Sequence, residues 1–224
     1  MRMKQAIIVA GGRGTRLKSE TPKQFLLLGN KPILMHTIES FYAFDHTIDL
    51  ILVIPEDHFD YWHKLCSAYQ FSIPHTLVKG GTERFFSVKN GLQFAKPDSI
   101  IAIHDGVRPL VSLDTLQRCF DTAQKMGNAI PSLPINDSLR QLNDTENWSV
   151  NRQLFRTIQT PQVFSSNLLL EAFEQPFSPS FTDDASVFEA AGYPINLVNG
   201  NPENIKITTQ TDLLLAELLL KNNG

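Results

Sequence analysis

The sequence predicts an α/β fold with a mostly parallel sheet and helices on both faces. Short apolar runs suited to buried strands alternate with stretches that have the length and periodicity of helices. Such alternation favours parallel strands covered on both sides. The chain has 224 residues, 42% of them hydrophobic, which is enough for one sizeable core. We therefore expect a single domain over residues 1–224.

The predicted elements follow one another along the first half of the chain. The strands are residues 6–10, 48–54, 75–78 and 99–104, and the helices are residues 33–44, 56–71, 82–95 and 113–126. Further on, residues 204–208 are predicted as an apolar strand that carries Lys206. Thr209 and Asp212 resemble a capping box for a last, buried helix at residues 213–220.

Between residues 134 and 160 the helical period stops. Residues 138–142 and 148–152 flank a polar tip at 143–147, which is the pattern of a β-hairpin arm. An isolated hairpin is only marginally stable in water. We therefore predict that the arm packs against a second copy of the chain in a homodimer.

Charge and cysteine usage exclude several classes of protein. A net charge of −3 and a pI near 6.1 argue against a partner that is a nucleic acid or a membrane. Cys66 and Cys119 lack metal-ligand spacing and do not suggest a disulfide framework. The apolar run before the first glycines is too short for a signal peptide, and the final leucine-rich stretch is too short to span a bilayer. We expect a cytoplasmic protein.

A glycine-rich loop follows the first strand. Gly11, Gly12 and Gly14 lack the Cβ that would keep a polyphosphate away from the backbone N–H groups. Several cations accompany the loop: Arg13, Arg16, Lys18 and Lys23. No P-loop pattern is present, and the dinucleotide fingerprint fails where Leu17 replaces its third glycine. The loop predicts a polyphosphate site, and a glycine turn with solvated charges is the alternative.

A second candidate segment follows the strand at 99–104. Asp105 at the end of a buried strand can bind Mg²⁺ that also contacts phosphates. Alternatively, Asp105 only starts a turn with Gly106. Arg108 either binds an anion or pairs with Asp105, and His104 has no predicted catalytic role.

Three further segments have both structural and functional interpretations. Thr82, after the turn at Gly81, is a candidate N-cap of a helix whose first amides can bind a base or ribose. Thr182 is a candidate N-cap followed by two acidic residues, which needs no function at all. Lys206 lies between apolar neighbours, where a cation needs a reason such as a phosphate.

Together these segments resemble the 2-C-methyl-D-erythritol 4-phosphate cytidylyltransferase family of the non-mevalonate isoprenoid pathway. The resemblance runs in order through residues 10–16, 22–24, 104–109, 160–162, 182–186 and 204–206. It implies a Rossmann-like nucleotidyltransferase fold with a protruding β-hairpin arm inserted at about 134–160. It also implies CTP as co-substrate, Mg²⁺ as cofactor, a sugar-alcohol phosphate as acceptor and a homodimer built by the arm.

The resemblance also assigns roles to residues. The implied catalytic cations are Arg16, Lys23 and Lys206. The implied nucleotide-binding residues are Ala10, Gly11, Gly12, Gly14, Thr15, Gly81, Thr82, Ser87, Asp105 and Gly106, with Asp105 also binding the metal. The implied acceptor-binding residues are Arg108, Ser138, Arg152, Thr160, Thr182 and Asp183, with Arg152 reaching into the neighbouring subunit.

Two positions depart from the family pattern, and two alternatives stay open. Ser138 stands where threonine is usual, and Thr82 stands where aspartate is common. A ribitol-5-phosphate cytidylyltransferase of cell-wall polymer synthesis is the nearest alternative, although its acceptor motif is expected to differ from residues 182–186. The alternative from another class is a non-catalytic nucleotide-binding sensor.

Overall fold

The computed structural model describes residues 2–12 and 21–222. The candidates Gly14, Thr15 and Arg16 lie outside the described residues, as do Arg13 and Lys18. The strands are β1 Lys4–Val9, β2 Leu27–Leu28, β3 Lys31–Pro32, β4 Asp49–Ile54, β5 Thr76–Lys79, β6 Ile100–Asp105, β7 Asn128–Pro134, β8 Leu139–Leu142, β9 Asn147–Val150, β10 Arg156–Ile158, β11 Gln162–Ser165 and β12 Leu197–Asn199. The α-helices are α1 Ile33–Phe44, α2 Phe59–Ala68, α3 Arg84–Leu92, α4 Leu113–Met126, α5 Ser166–Ala172, α6 Asp184–Ala190 and α7 Gln210–Asn222, and short 3₁₀ helices lie at Lys23–Phe25, Glu56–His58 and Arg152–Leu154.

The main sheet has the order β10-β7-β11-β6-β1-β4-β5, with β12 beside β7. Strands β6, β1, β4 and β5 run parallel, as predicted, and form the half that carries the glycine-rich loop. Strand β11 is antiparallel to both β6 and β7, because the chain returns from β7 through the arm without a helical crossover. The α/β fold is confirmed, with a sheet that is mixed in its second half.

Helices cover both faces of the sheet. Alternate residues of β1 point to opposite sides, so that Ala6 and Ile8 join a core beneath α1 and α4, whereas Ile7 joins the core beneath α3 and α5. Gly91 lets α3 approach closely, since a Cβ there would lie 2.8 Å from Cγ2 of Ile7. The carboxyl ends of the parallel strands therefore meet at one fixed edge.

The arm is confirmed as a hairpin. Strands β8 and β9 pair antiparallel in a two-stranded sheet of their own, from Leu139 opposite Val150 to Leu142 opposite Asn147. At the tip, the Asn143 side chain accepts hydrogen bonds from the backbone N–H groups of Thr145 and Glu146. This turn chemistry explains why the polar tip predicts the reversal of the chain.

Two of the predicted N-caps are wrong by one residue. Helix α3 begins at Arg84 with Glu83 before it, so Thr82 does not cap it. Helix α6 begins at Asp184, and its cap is Asp183, whose side chain accepts from the Ser186 N–H while Ser186 Oγ accepts from the Asp183 N–H. Thr182 therefore lies outside the helix. This reciprocal pair satisfies two terminal N–H groups at once.

Two predicted elements also differ from the structure. Residues 204–208 form no strand, because the Ile207 N–H donates to the Val107 carbonyl in the loop after β6 instead of joining the sheet. The helix predicted at 56–71 is a 3₁₀ turn followed by the shorter α2. The capping box of α7 is confirmed by hydrogen bonds between Thr209 and Asp212 in both directions. No helix in the described ranges is both long and apolar enough to cross a membrane.

Candidate active site at the carboxyl edge of the sheet

A cavity of about 280 Å³ lies where β1 and β6 end. It brings together most of the predicted nucleotide-binding residues and two of the predicted catalytic cations. Those that line it are Ala10, Gly11, Gly12, Gly81, Thr82, Ser87, Asp105, Lys23 and Lys206. The predicted residues that do not line it, among those the structure describes, are Gly106, Arg108, Ser138, Arg152, Thr160, Thr182 and Asp183.

Close contacts between backbone segments shape the floor of this cavity. A Cβ on Gly106 would lie 2.8 Å from Cβ of Ala10, so the turn after β6 sits against the end of β1 only because residue 106 is glycine. The Gly106 N–H donates to the Val9 carbonyl. In the same lining, Cε of Lys23 lies 3.3 Å from the position of a Cβ on Gly12. The Lys23 side chain therefore lies along the glycine-rich segment.

The turn at Gly81 is closed by a serine from the following helix. Ser87 Oγ accepts from the Gly81 N–H and donates to the Glu83 carbonyl, at 3.0 and 3.1 Å. A Cβ on Gly81 would lie only 2.4 Å from Cβ of Phe86, which excludes any side chain there. Ser87 thus holds the turn against the first turn of α3. The turn places backbone amides on the wall of the cavity.

Three cations surround the buried carboxylate of Asp105. Its Oδ2 lies 3.2 Å from Nε of Arg108 and 3.1 Å from Nζ of Lys206, and its Oδ1 lies 3.8 Å from Nε of Arg84. Burial alone raises the pKa of Asp105, but the three positive charges outweigh it, so the pKa lies well below its ordinary value. Asp105 is therefore an ionised carboxylate at neutral pH. Of the two predicted alternatives for Arg108, the structure shows the pairing with Asp105.

Arg84 also binds a second buried carboxylate. Its Nη1 and Nη2 donate to the two oxygens of Asp184 at 2.7 and 2.6 Å, a bidentate arrangement. Burial lowers the pKa of Arg84, but Asp184 and Asp105 more than offset this and raise it, so the guanidinium stays charged. The pair joins the start of α3, beside the Gly81 turn, to the start of α6, beside Thr182 and Asp183.

Arg84 and Asp184 were missed by the sequence prediction. Both residues stand at positions that the sequence marks: Arg84 follows a glycine turn, and Asp184 is the second of two acids at the start of a helix. Acids at the start of a helix are ordinarily explained by the helix dipole, and that explanation for Asp184 concealed its pairing with Arg84, 100 residues away.

A neutral histidine orders the end of β6. His104 Nε2 contacts the Arg108 carbonyl at 3.0 Å and must donate to it, which leaves Nδ1 to accept from the hydroxyl of Thr160 at 3.1 Å. The same Thr160 oxygen accepts from the Asp105 N–H at 3.0 Å. Burial lowers the pKa of His104 to about 4, so the ring stays neutral at pH 7. Through Thr160, these hydrogen bonds hold the backbone of Asp105 in position.

The predicted acceptor-binding residues divide into two groups. Arg108, Thr160 and Asp183 are tied into the fold; Arg108 Nη1 donates to the Asn204 carbonyl, and Asp183 Oδ2 accepts from Gln162. Thr182 and the arm residues Ser138 and Arg152 are exposed. Arg152 donates to the Asn136 carbonyl within the arm. Within one chain, none of these six residues lines the cavity.

A parallel sheet whose carboxyl edge gathers glycine-lined backbone, lysines and one buried carboxylate defines a nucleotide-binding α/β enzyme. The model of one family, IspD: 2-C-methyl-D-erythritol 4-phosphate cytidylyltransferase, matches residues 4–222. The chain belongs to this family of cytidylyltransferases.

Individual relatives support the same assignment. The 2-C-methyl-D-erythritol 4-phosphate cytidylyltransferase of Bacteroides thetaiotaomicron is 48% identical over 219 residues, covering 97% of this chain and 100% of the relative. That of Porphyromonas gingivalis is 50% identical, covering 96% of each chain. The crystal structure of the enzyme of that name from Thermus thermophilus has a TM-score of 0.79 at 31% identity, covering 99% of this chain and 100% of that chain.

Proposed function

We propose that this protein transfers the cytidylyl group of CTP to 2-C-methyl-D-erythritol 4-phosphate. An oxygen of the acceptor phosphate attacks the α-phosphorus in line, the bond from that phosphorus to the bridging oxygen breaks, and pyrophosphate leaves. The product is CDP-linked methylerythritol, and no covalent intermediate on the enzyme is needed. Family membership supports the reaction, and the pairing of Lys206 with Asp105 at the cavity is the structural observation that carries it.

Catalysis of this transfer depends on positioning and on stabilising negative charge. Lys206 Nζ is held 3.1 Å from Asp105 Oδ2, and the Lys206 side chain is 42% exposed, so its ammonium can also donate to phosphate oxygens. Lys23, which lies along Gly12 and also lines the cavity, holds the triphosphate. By the family resemblance, Arg16 adds a third cation.

The nucleotide binds between the two glycine turns. The backbone of Ala10, Gly11 and Gly12 approaches the phosphates, and the segment at Gly81 and Thr82, closed by Ser87, contacts the cytidine. Gly106 contributes by keeping the turn after β6 against Ala10. Family resemblance adds Gly14 and Thr15 to the phosphate contacts.

The residues present fit a magnesium ion that is bound mainly by phosphates. Within the described ranges, no group of three or more His, Cys, Asp or Glu side chains could hold a metal alone. Asp105 supplies one ionised carboxylate, and its Oδ1 has Arg84 only at 3.8 Å. Mg²⁺ on nucleotides commonly uses one or two carboxylates with phosphate oxygens and waters. When bound, the ion neutralises charge on the phosphates, and Asp105 is the residue that would hold it.

The acceptor site is completed by a second subunit. Arg108, Thr160, Thr182 and Asp183 come from the chain that binds CTP, with Thr160 acting through its bond to the Asp105 backbone. Ser138 and Arg152 come from the arm of the partner. Exposed apolar side chains on the arm support a homodimer, namely Leu142, Trp148, Leu154, Phe155 and Ile158.

The unit and its location are part of the proposal. Residues 1–224 form a single nucleotidyltransferase domain with the arm inserted at about 134–160. Cys66 and Cys119 are free thiols, which suits a reducing cytoplasm.

The deciding experiment is an assay of pyrophosphate release from CTP and Mg²⁺. Methylerythritol phosphate and ribitol 5-phosphate are offered as acceptors in parallel reactions. We expect release with the first acceptor alone. Release with ribitol phosphate alone would keep the cytidylyl transfer but assign another acceptor. CTP binding without release from either acceptor would favour the nucleotide-binding sensor.

A further inference from the structure

Gln24 is a buried amide without hydrogen-bonding partners among the described residues. Its exposure is 0%, and neither Nε2 nor Oε1 has a partner among the residues that the structure describes. A primary amide offers two N–H donors and an acceptor oxygen. Leaving these groups unpaired in the interior is unfavourable, so such a residue requires an explanation.

Gln5 shows how the same fold treats an amide that serves structure alone. It is also 0% exposed, but it lies near the start of β1, at the end of the sheet away from the cavity. Its Nε2 donates to Asp49 and to the Phe94 carbonyl, and its Oε1 accepts from the Lys96 N–H and the Ser99 hydroxyl. Because Gln5 is fully hydrogen-bonded in the same fold, the unpaired amide of Gln24 is explained by its particular position in the molecule.

That place is the lining of the candidate active site. Gln24 is the middle residue of the short helix Lys23–Phe25, which is closed by a hydrogen bond from the Phe25 N–H to the Pro22 carbonyl. Phe25 packs in the core against Trp62 and fixes the helix from one side. On the other side, Lys23 reaches Gly12. The Gln24 amide is therefore held on a rigid support beside the glycine-rich segment.

We infer that Gln24 is a nucleotide-binding residue whose Nε2 donates to a phosphate oxygen of the bound nucleoside triphosphate. Its Oε1 then accepts a hydrogen from a hydroxyl of the nucleotide or from the water around it. We assign the contact to the phosphates because Gln24 directly follows Lys23, which lies along Gly12 of the proposed phosphate-binding segment. This inference rests on the proposed function, since it places a nucleotide in this cavity.

The test is the variant Gln24→Met, which keeps nearly the same volume and removes the amide. Calorimetric titration with CTP and with inorganic pyrophosphate measures binding, and thermal unfolding measures stability. We expect Kd for both probes to rise about tenfold or more, because a bond to a charged group is lost. We expect Tm to stay equal or rise, because an unpaired buried amide is removed.

Two matched variants complete the design. Gln5→Met removes a buried amide with a full set of partners, so its Tm should fall while Kd for CTP stays unchanged. Gln24→Glu places a carboxylate of equal size beside the phosphates and should weaken pyrophosphate binding more than Gln24→Met does.

Three outcomes would overturn the inference. One is a Kd within twofold of wild type for both probes in Gln24→Met. Another is a variant that fails to fold or has a lower Tm with unchanged binding, since the amide would then be structural. If wild-type protein binds neither CTP nor pyrophosphate, the proposed function itself fails, and the inference fails with it.

Discussion

At the carboxyl edge of the sheet, charged side chains are buried and paired within one chain, whereas in the arm apolar side chains are exposed to solvent. Asp105 is in contact with Arg84, Arg108 and Lys206, and its backbone is held by Thr160. By contrast, Leu142 and Leu154 on the arm are 72% and 79% exposed.

The difference teaches which part of the proposed reaction each region can perform alone. At the edge, the buried carboxylates Asp105 and Asp184 each have a cation beside them, so these charges are already paired in the absence of a ligand. The arm has only its own hairpin to stabilise it, and a two-stranded hairpin is marginal by itself. In the proposed function, the acceptor half depends on a second chain.

The largest effect is expected at the edge, from Lys206→Ala. Loss of this cation removes the charge next to Asp105 that the proposed mechanism places on the reacting phosphate. We expect kcat for pyrophosphate release to fall about 10²- to 10³-fold. Lys79→Ala is the control, since Lys79 pairs with Glu56 in a largely exposed surface contact that is worth little. A Lys206→Ala enzyme within twofold of wild type would remove the proposed catalytic role.

A smaller effect is expected in the arm, from Arg152→Ala. We expect kcat/KM for the acceptor to fall about tenfold to a hundredfold, because one charged contact to the acceptor phosphate is lost, with Kd for CTP unchanged. Mixing the impaired Arg152→Ala and Lys206→Ala subunits should then give more activity than either variant shows alone.

This mixing experiment tests whether the edge of one chain and the arm of another form one site. In a heterodimer, one site is built from the intact Lys206 of one chain and the intact Arg152 of the other, so roughly a quarter of all sites are whole after random mixing. If no activity returns although size measurements show subunit exchange, the two regions belong to one chain and the sharing is wrong.

The buried histidine at the edge, His104, gives a pH-dependent test of the same comparison. The pKa of His104 is about 4 in the fold and 6.5 ordinarily, so between these values the unfolded state binds more protons. The free energy of unfolding should therefore fall by about 2 kcal/mol between pH 6.5 and 5 from this group. Denaturant unfolding across that range checks it.

A variant that lacks only His104 isolates the contribution of this residue. His104→Gln should show a shallower slope over the same pH range, with the remainder arising from His36 and His75, whose pKa values are also lowered by burial. An unchanged slope would show that His104 does not titrate in this way.

The smallest effect separates capping from acceptor binding at Asp183. Asp183→Ala removes the N-cap of α6 and should lower the free energy of unfolding by about 1 kcal/mol. Ser112→Ala removes the N-cap of α4 and should do the same. Only Asp183→Ala should also raise KM for the acceptor, and equal KM values in the two variants would leave Asp183 with a structural role alone.

The sequence predicts much of this architecture because most of its signals are local. Hydrophobic periodicity locates β1, β4, β6, α1 and α4, and a polar tip locates the hairpin. The direction of β11 is not local, since it depends on how the chain returns from the arm. The apolar run at 204–208 suggested a strand, but its backbone pairs with a loop after β6, and no periodicity reports that choice.

The site shows the same division. Glycine spacing and family resemblance lead to the residues that line the cavity. The caps at Thr82 and Thr182 are misassigned because α3 begins one residue later, after Glu83, and because Asp183 is the cap of α6, which only the geometry reveals. The Arg84–Asp184 pair needs the tertiary fold to bring two helix starts together.

The register of β10 has a consequence for how this family can vary. Arg156 pairs directly with Pro134, so the chain leaves the sheet and re-enters it at the same rung of the ladder. The segment between these two residues starts and ends at neighbouring positions in the sheet, so a change in its length need not shift β7 or β10. Natural insertions and deletions should therefore accumulate at the polar tip, residues 143–147, where they disturb neither the framing strands nor the proposed acceptor residues Ser138 and Arg152.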